Sequence, residues 1–80
     1  MVPDVVAVKI VGEYLLHVTF DNGEMRRFDV APLLSRKCYS PLKNKALFAT
    51  AAPLYGVVTW ADGTDIDPAW LYEDSTPIRN

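Results

Sequence analysis

YLLHVTFDNGEMRRFDV, residues 14–30, alternates apolar and polar side chains on both sides of one glycine-closed turn. In an extended chain Tyr14, Leu16, Val18 and Phe20 share one face, and Leu15, His17 and Thr19 share the other. Asp21-Asn22-Gly23 suits a type I turn closed by a left-handed glycine, which makes a three-residue hairpin loop. That loop sets Phe20 opposite Glu24 and Leu16 opposite Phe28, and brings Val30 to Tyr14. A two-residue Asn22-Gly23 turn would set Asp29 against Leu16, so burial selects the longer loop.

Upstream, VVAVKIV at 5–11 is rich in β-branched residues and reads as a strand. A two-residue Gly12-Glu13 turn would put Lys9 opposite Leu16. A three-residue loop, Val11 to Glu13, puts Val8 opposite Leu16 and Ile10 opposite Tyr14, and gathers Val6, Val8 and Ile10 on the buried face. The second register is the one expected. The result is an antiparallel three-stranded meander over 5–11, 14–20 and 24–30.

Downstream, Pro32 with Leu33-Leu34 leaves the sheet through a short helical turn, and residues 35–39 form a polar loop. Ser40-Pro41 pairs a capping hydroxyl with a proline at the first helical position and predicts a short helix near 41–50. Pro53 ends it. YGVVTW, 55–60, reads as a fourth strand, and Ala61-Asp62-Gly63 repeats the earlier turn chemistry. The same loop type pairs Trp60 with Thr64 and Val58 with Ile66, giving a second hairpin over 55–60 and 64–66. Asp67-Pro68 then caps a short helix near 68–73, and residues 75–80 are expected to fray. The fold class is α+β, in one domain covering 1–80.

Composition narrows the class of protein. Half of the 80 residues are hydrophobic, which suits a globular core, not disorder. No apolar run reaches the roughly 20 residues that span a bilayer, so no membrane role is expected. Met1-Val2-Pro3-Asp4 lacks the basic-then-apolar pattern of a secretory signal. The single cysteine, Cys38, fits a reducing compartment, and the expected location is the cytoplasm. Net charge is only −2, but it is unevenly spread. Arg36, Lys37, Lys43 and Lys45 fall in a stretch without acids, while Asp62, Asp65, Asp67, Glu73 and Asp74 crowd the end.

The chemistry-bearing residues give three readings. Trp60, Trp70 and Tyr72 suit core packing, and the Gly63 turn places Trp60 inside; where partly exposed they would form, with Asp65 and Asp67, an aromatic and acidic set suited to a protein partner of opposite charge. Arg36, Lys37, Tyr39, Lys43 and Lys45 interleave cations with an aromatic, a pattern that would hold phosphates and stack a base; the net acidic charge opposes general nucleic-acid binding. Asp62, Asp65 and Asp67 would offer oxygens to a ligand or metal, although their spacing does not match a calcium loop and two of them have turn and cap duties. A Cys38–His17 nucleophile pair fails on orientation, because His17 points away from the main core. No catalytic residue, metal ligand or cofactor is therefore assigned, and the expected partner is another protein, with a homodimer through edge strands as a further expectation.

Val18-x-Phe20-x-x-Gly23 leading to Phe28-Asp29, then Trp60-x-x-Gly63-x-Asp65-Ile66-Asp67-Pro68 and Leu71-Tyr72, resembles the domain of unknown function 2442 family of small bacterial proteins. The likeness covers roughly residues 3–73, with the Trp60–Tyr72 segment its specific part. Ala61 stands where the family often has proline. The resemblance implies an α+β domain, alone or ahead of a helix-turn-helix domain for which this chain is too short. It also implies membership of two-protein systems of toxin–antitoxin type. It brings no catalytic residue. The functional expectation is a non-enzymatic protein-interaction module, the antitoxin-like or regulatory half of such a pair. The alternatives are a nucleic-acid-associated regulator using 36–45 and a ligand- or metal-binding domain using the Asp62–Asp67 hairpin.

Overall fold

Both glycine-closed turns form with the expected registers. Gly23 and Gly63 have φ of +88° and +90°, and their amides donate to the carbonyls of Phe20 and Trp60 at 3.0 and 2.9 Å. The amide of Phe20 donates to Glu24 and that of Trp60 to Thr64. The computed structural model describes residues 2–78. It contains β1 (Val5–Gly12), β2 (Leu15–Phe20), β3 (Met25–Asp29), two 3-10 turns (Ala31–Leu33 and Ser40–Lys43), α1 (Lys45–Phe48), β4 (Ala52–Leu54), β5 (Val57–Thr59), α2 (Pro68–Asp74) and β6 (Thr76–Pro77). Strands β1-β2-β3-β6 form one antiparallel sheet, and β4-β5 form a separate hairpin. The class is α+β.

Alternation in β2 does what the sequence implies: Leu16, Val18 and Phe20 are buried, and Leu16 faces Phe28 across the ladder. Each such side chain contributes about 1.5–3 kcal/mol by leaving water. Phe48, Val58, Trp60, Ile66 and Leu71 close the core from the other side.

The β1 register differs from the expected one. Val8 lies opposite Val18 and Ile10 opposite Leu16, two residues away from the predicted pairing, and the connecting loop is Glu13-Tyr14. Tyr14 leaves the strand with φ +59° because its side chain is engaged elsewhere. Its ring packs edge-on against Phe48 at 5.2 Å, and its hydroxyl donates to the Lys43 carbonyl. Irregularities between Val5 and Ala7 and between Ile10 and Gly12 absorb the extra residues. The set Val6, Val8, Ile10 is therefore not the buried one. Val5 takes the inner place, Val8 is half-buried, and Val6 and Ile10 are exposed.

The expected helix over 41–50 is broken in two. Ser40 does not cap; its hydroxyl donates to the Lys37 carbonyl. Asn44 is extended and accepts from the amides of Ala46 and Leu47, so the α-helical turn starts there. Pro53 ends no helix but lies in β4 opposite Val58, and Tyr55-Gly56 form the hairpin turn, not the start of a strand. The predicted pairing of Val58 with Ile66 is present as an amide–carbonyl bond of 3.2 Å beside a single bridge, Thr59 to Asp65. The tail expected to fray from residue 75 is docked: Ser75 is buried, Thr76 and Pro77 pair with Arg27 and Arg26, and the Ile78 amide donates to Met25. Residues 79–80 of that expectation lie outside the described residues.

Asp67 caps α2 as expected, accepting from the Trp70 amide at 3.0 Å, with Pro68 next to it. Asp67→Ala should lower stability by about 1 kcal/mol. Gly63→Ala should cost about 1 kcal/mol through its positive φ alone, because an added Cβ meets nothing within 4 Å. Gly56→Ala should cost more, since its Cβ would fall 2.7 Å from the Asp4 side chain. Urea unfolding of the three variants checks the order.

Candidate functional site

Helix α2 carries Trp70 and Tyr72, and these two and Trp60 fall in three different environments. Trp60, just upstream, is only 2% exposed, and its indole N–H donates to the Phe48 carbonyl at 3.0 Å. It is a core residue, as the Gly63 turn register implies, and its place in the partner-facing set is corrected: its large apolar area is spent inside and its one polar group is satisfied there.

Tyr72 is bound into a clamp that sequence reasoning missed. Its ring meets Phe20 edge-on at 5.2 Å, and its hydroxyl donates to Glu24 Oε2. The Arg26 guanidinium lies over the same ring, 4.6 Å from its centroid, and donates to Ser75 Oγ at 2.6 Å and to the Ser75 carbonyl at 2.8 Å. Arg26 also pairs with Glu24 at 3.5 Å. Hydrogen bonds from Tyr72 and Asn22 hold the Glu24 carboxyl below the ordinary glutamate range, and the same Tyr72 bond raises the phenol. The signal was available: Arg26 shares the strand parity of Phe28 and so points inward.

Trp70 is half-buried between two groups. Phe28 packs on it edge-on at 6.4 Å, and Tyr39 lies tilted at 6.2 Å. The Arg36 guanidinium sits 5.6 Å from the ring centroid. Burial raises the Tyr39 phenol, and its hydroxyl lies 3.5 Å from the Asp65 carbonyl. The basic segment is thus split. Arg36 and Tyr39 join α2, whereas Lys45 pairs with Glu13 at 3.3 Å beside the β1–β2 loop, and Lys43 supplies the carbonyl that Tyr14 bonds. Lys37 is exposed and offers its carbonyl to Ser40.

The acidic hairpin does not converge. Asp62 accepts from the Thr64 amide and hydroxyl, each at 2.9 Å, which lowers its pKa. Asp67 is committed to its cap, and Asp65 is exposed. Among the described residues no group of three or more His, Cys, Asp or Glu is placed to hold a metal. His17 lies on the open sheet face between Lys9 and Arg27, with Arg27 Nε donating to it at 3.5 Å.

Beside Trp70 opens a cleft of about 400 Å³. Trp70, Phe28 and Leu33 give it apolar walls, and Arg27, Asp29 and Asp74 bring charge to it. One Asp29 oxygen is already used, accepting from the Ala31 amide at 3.0 Å. No helix among the described residues is long and apolar enough to cross a membrane.

A small α+β domain with a charged aromatic cleft beside Trp70 is what the fold and this site define. The chain belongs to the family described as protein of unknown function DUF2442, whose model matches residues 5–77. No curated protein and no solved structure matches it.

The Glu24 bond has a pH consequence. A carboxyl whose pKa is depressed by folding stabilises the fold at neutral pH and loses that contribution as pH falls through its folded value. Glu24→Gln should therefore be less stable than the wild type at pH 7, and the gap should close between about pH 5 and pH 2. Thermal melts across that range measure it.

Proposed function

We propose that the protein is a non-enzymatic interaction module, the regulatory or antitoxin-like half of a two-protein system, and that it captures a basic segment of its partner in the Trp70 cleft. The observation that carries this reading is the composition of the cleft: an indole and a phenyl ring beside two carboxylates, Asp29 and Asp74, against one guanidinium in the lining, Arg27, with the Trp70 ring already holding the Arg36 guanidinium at 5.6 Å. An aromatic floor favours a cation through its quadrupole, and the surplus carboxylate favours the same charge. Apolar centre and charged rim also match the anatomy of protein interfaces. The acidic run at the chain's end supports steering toward a basic partner.

Trp60 is sealed in the core, so a fluorescence change on titrating a Lys/Arg-rich peptide reports Trp70. The wild type should respond, and Asp74→Lys should weaken binding by about tenfold or more, the loss of one charge-assisted contact. Glu73→Lys, outside the cleft lining, should weaken binding less than Asp74→Lys, through loss of steering alone. Equal binding by all three proteins, or no response in the wild type, defeats the reading.

A further inference from the structure

Residues 46–61 contain no charged side chain, yet part of this run is on the surface. Leu54 is 52% exposed and Tyr55 95% exposed, at the tip of the β4–β5 hairpin. Tyr55 and Gly56 both have positive φ, +51° and +79°, the geometry of a two-residue hairpin turn that ordinarily takes Asn-Gly. A bulky aromatic in that conformation costs about 1–2 kcal/mol. At 95% exposure Tyr55 recovers little of that cost within its own chain. The tip is also held in place, because the Val5 amide donates to the Gly56 carbonyl at 3.0 Å and Asp4 closes over Gly56. A strained, rigidly mounted and solvent-facing aromatic is the arrangement of a docking knob.

The same flank contains a matching hollow. Ile10, Tyr14, Phe48 and Ala49, with the charged pair Glu13 and Lys45, line a cavity of about 270 Å³ between the end of β1 and α1. An apolar cavity of roughly 150 Å³ already accommodates a benzene ring. Strand β4 packs against β1, with the knob at the start of β1 and the hollow at its end. At about 3.3 Å per residue the two lie about 23 Å apart. Exposed Val6 lies on β1 between them. Asp4 stands at the knob, and Lys45 at the hollow in an exposed pair with Glu13, the kind of pair that exchanges partners at little cost.

We propose that this flank is a self-association surface: in a two-fold dimer, Tyr55 of each copy enters the Ile10–Tyr14–Phe48 cavity of the other, and Asp4 of each meets Lys45 of the other. A two-fold interface must be self-complementary, and a knob and a hollow at opposite ends of one strand satisfy that condition. The surface is separate from the Trp70 cleft, so the two readings stand or fall independently.

Sedimentation equilibrium of the full chain tests it. The wild type should show a species of twice the 8.9 kDa chain mass. Tyr55→Asn removes the knob while suiting the turn, so it should raise the dimer dissociation constant at least about tenfold with no loss in the unfolding midpoint. Lys45→Glu should weaken the dimer, and adding Asp4→Lys should restore it. A wild type that stays monomeric up to about 1 mM, a Tyr55→Asn protein that dimerises as tightly as the wild type, or a charge swap that restores nothing overturns the proposal.

Discussion

Left-handed glycine at positions 23 and 63 is the constraint on which the rest of the molecule depends. Each closes a three-residue loop, and each loop determines which side chains face each other across it. Side-chain direction repeats every second residue, so a slip of one at either turn would turn Leu16 and Phe28, or Val58 and Ile66, to water. With the registers as they are, these four are buried together with Leu71 of α2. Helix α2 has only seven residues and cannot persist alone. It is kept in place by Leu71 in the core, by the Asp67 cap at one end and by the clamp at the other.

That clamp links local chemistry to the site. Arg26 would be expensive to keep on the inner side of β3 if it were unpaired. It is instead spread over a phenol ring, a hydroxyl, a carbonyl and a carboxylate. Those bonds tie Ser75 down and let Thr76 join the sheet as an edge strand. Proline in a two-residue edge strand blunts further pairing there. Trp70 stands between the two fastenings of α2, so the wall it gives to the cleft belongs to a fixed helix.

The two proposed surfaces use different physics. The Trp70 cleft combines aromatic faces with charge and suits a cationic segment. The β1–β4 flank sets exposed apolar side chains and one strained tyrosine between charges at its two ends, Asp4 and the Lys45–Glu13 pair. Strand β1 is an edge of its sheet that packs against β4 without pairing with it, and the proposed dimer uses side chains there instead of a strand ladder.

Much was legible in the chain itself. Alternation over 14–30, the two Gly-closed turns, the Asp67-Pro68 cap and the burial of Leu16, Phe28 and Val58 all follow from local rules, because turn geometry and strand parity act over a few residues. The same rules misplaced β1 by two residues, since the reason lies far away: Tyr14 turns out of its strand to meet Phe48 and Lys43. They could not find β6, because two residues make a strand only when Arg26 and Arg27 are beside them. They put Trp60 inside through the Gly63 turn but could not separate it from Trp70, which is only half-buried and lines the cleft. Local periodicity and turn chemistry determined the elements and their inward faces; which aromatic side chains remained outside was decided by long-range packing, which depends on residues far apart in sequence.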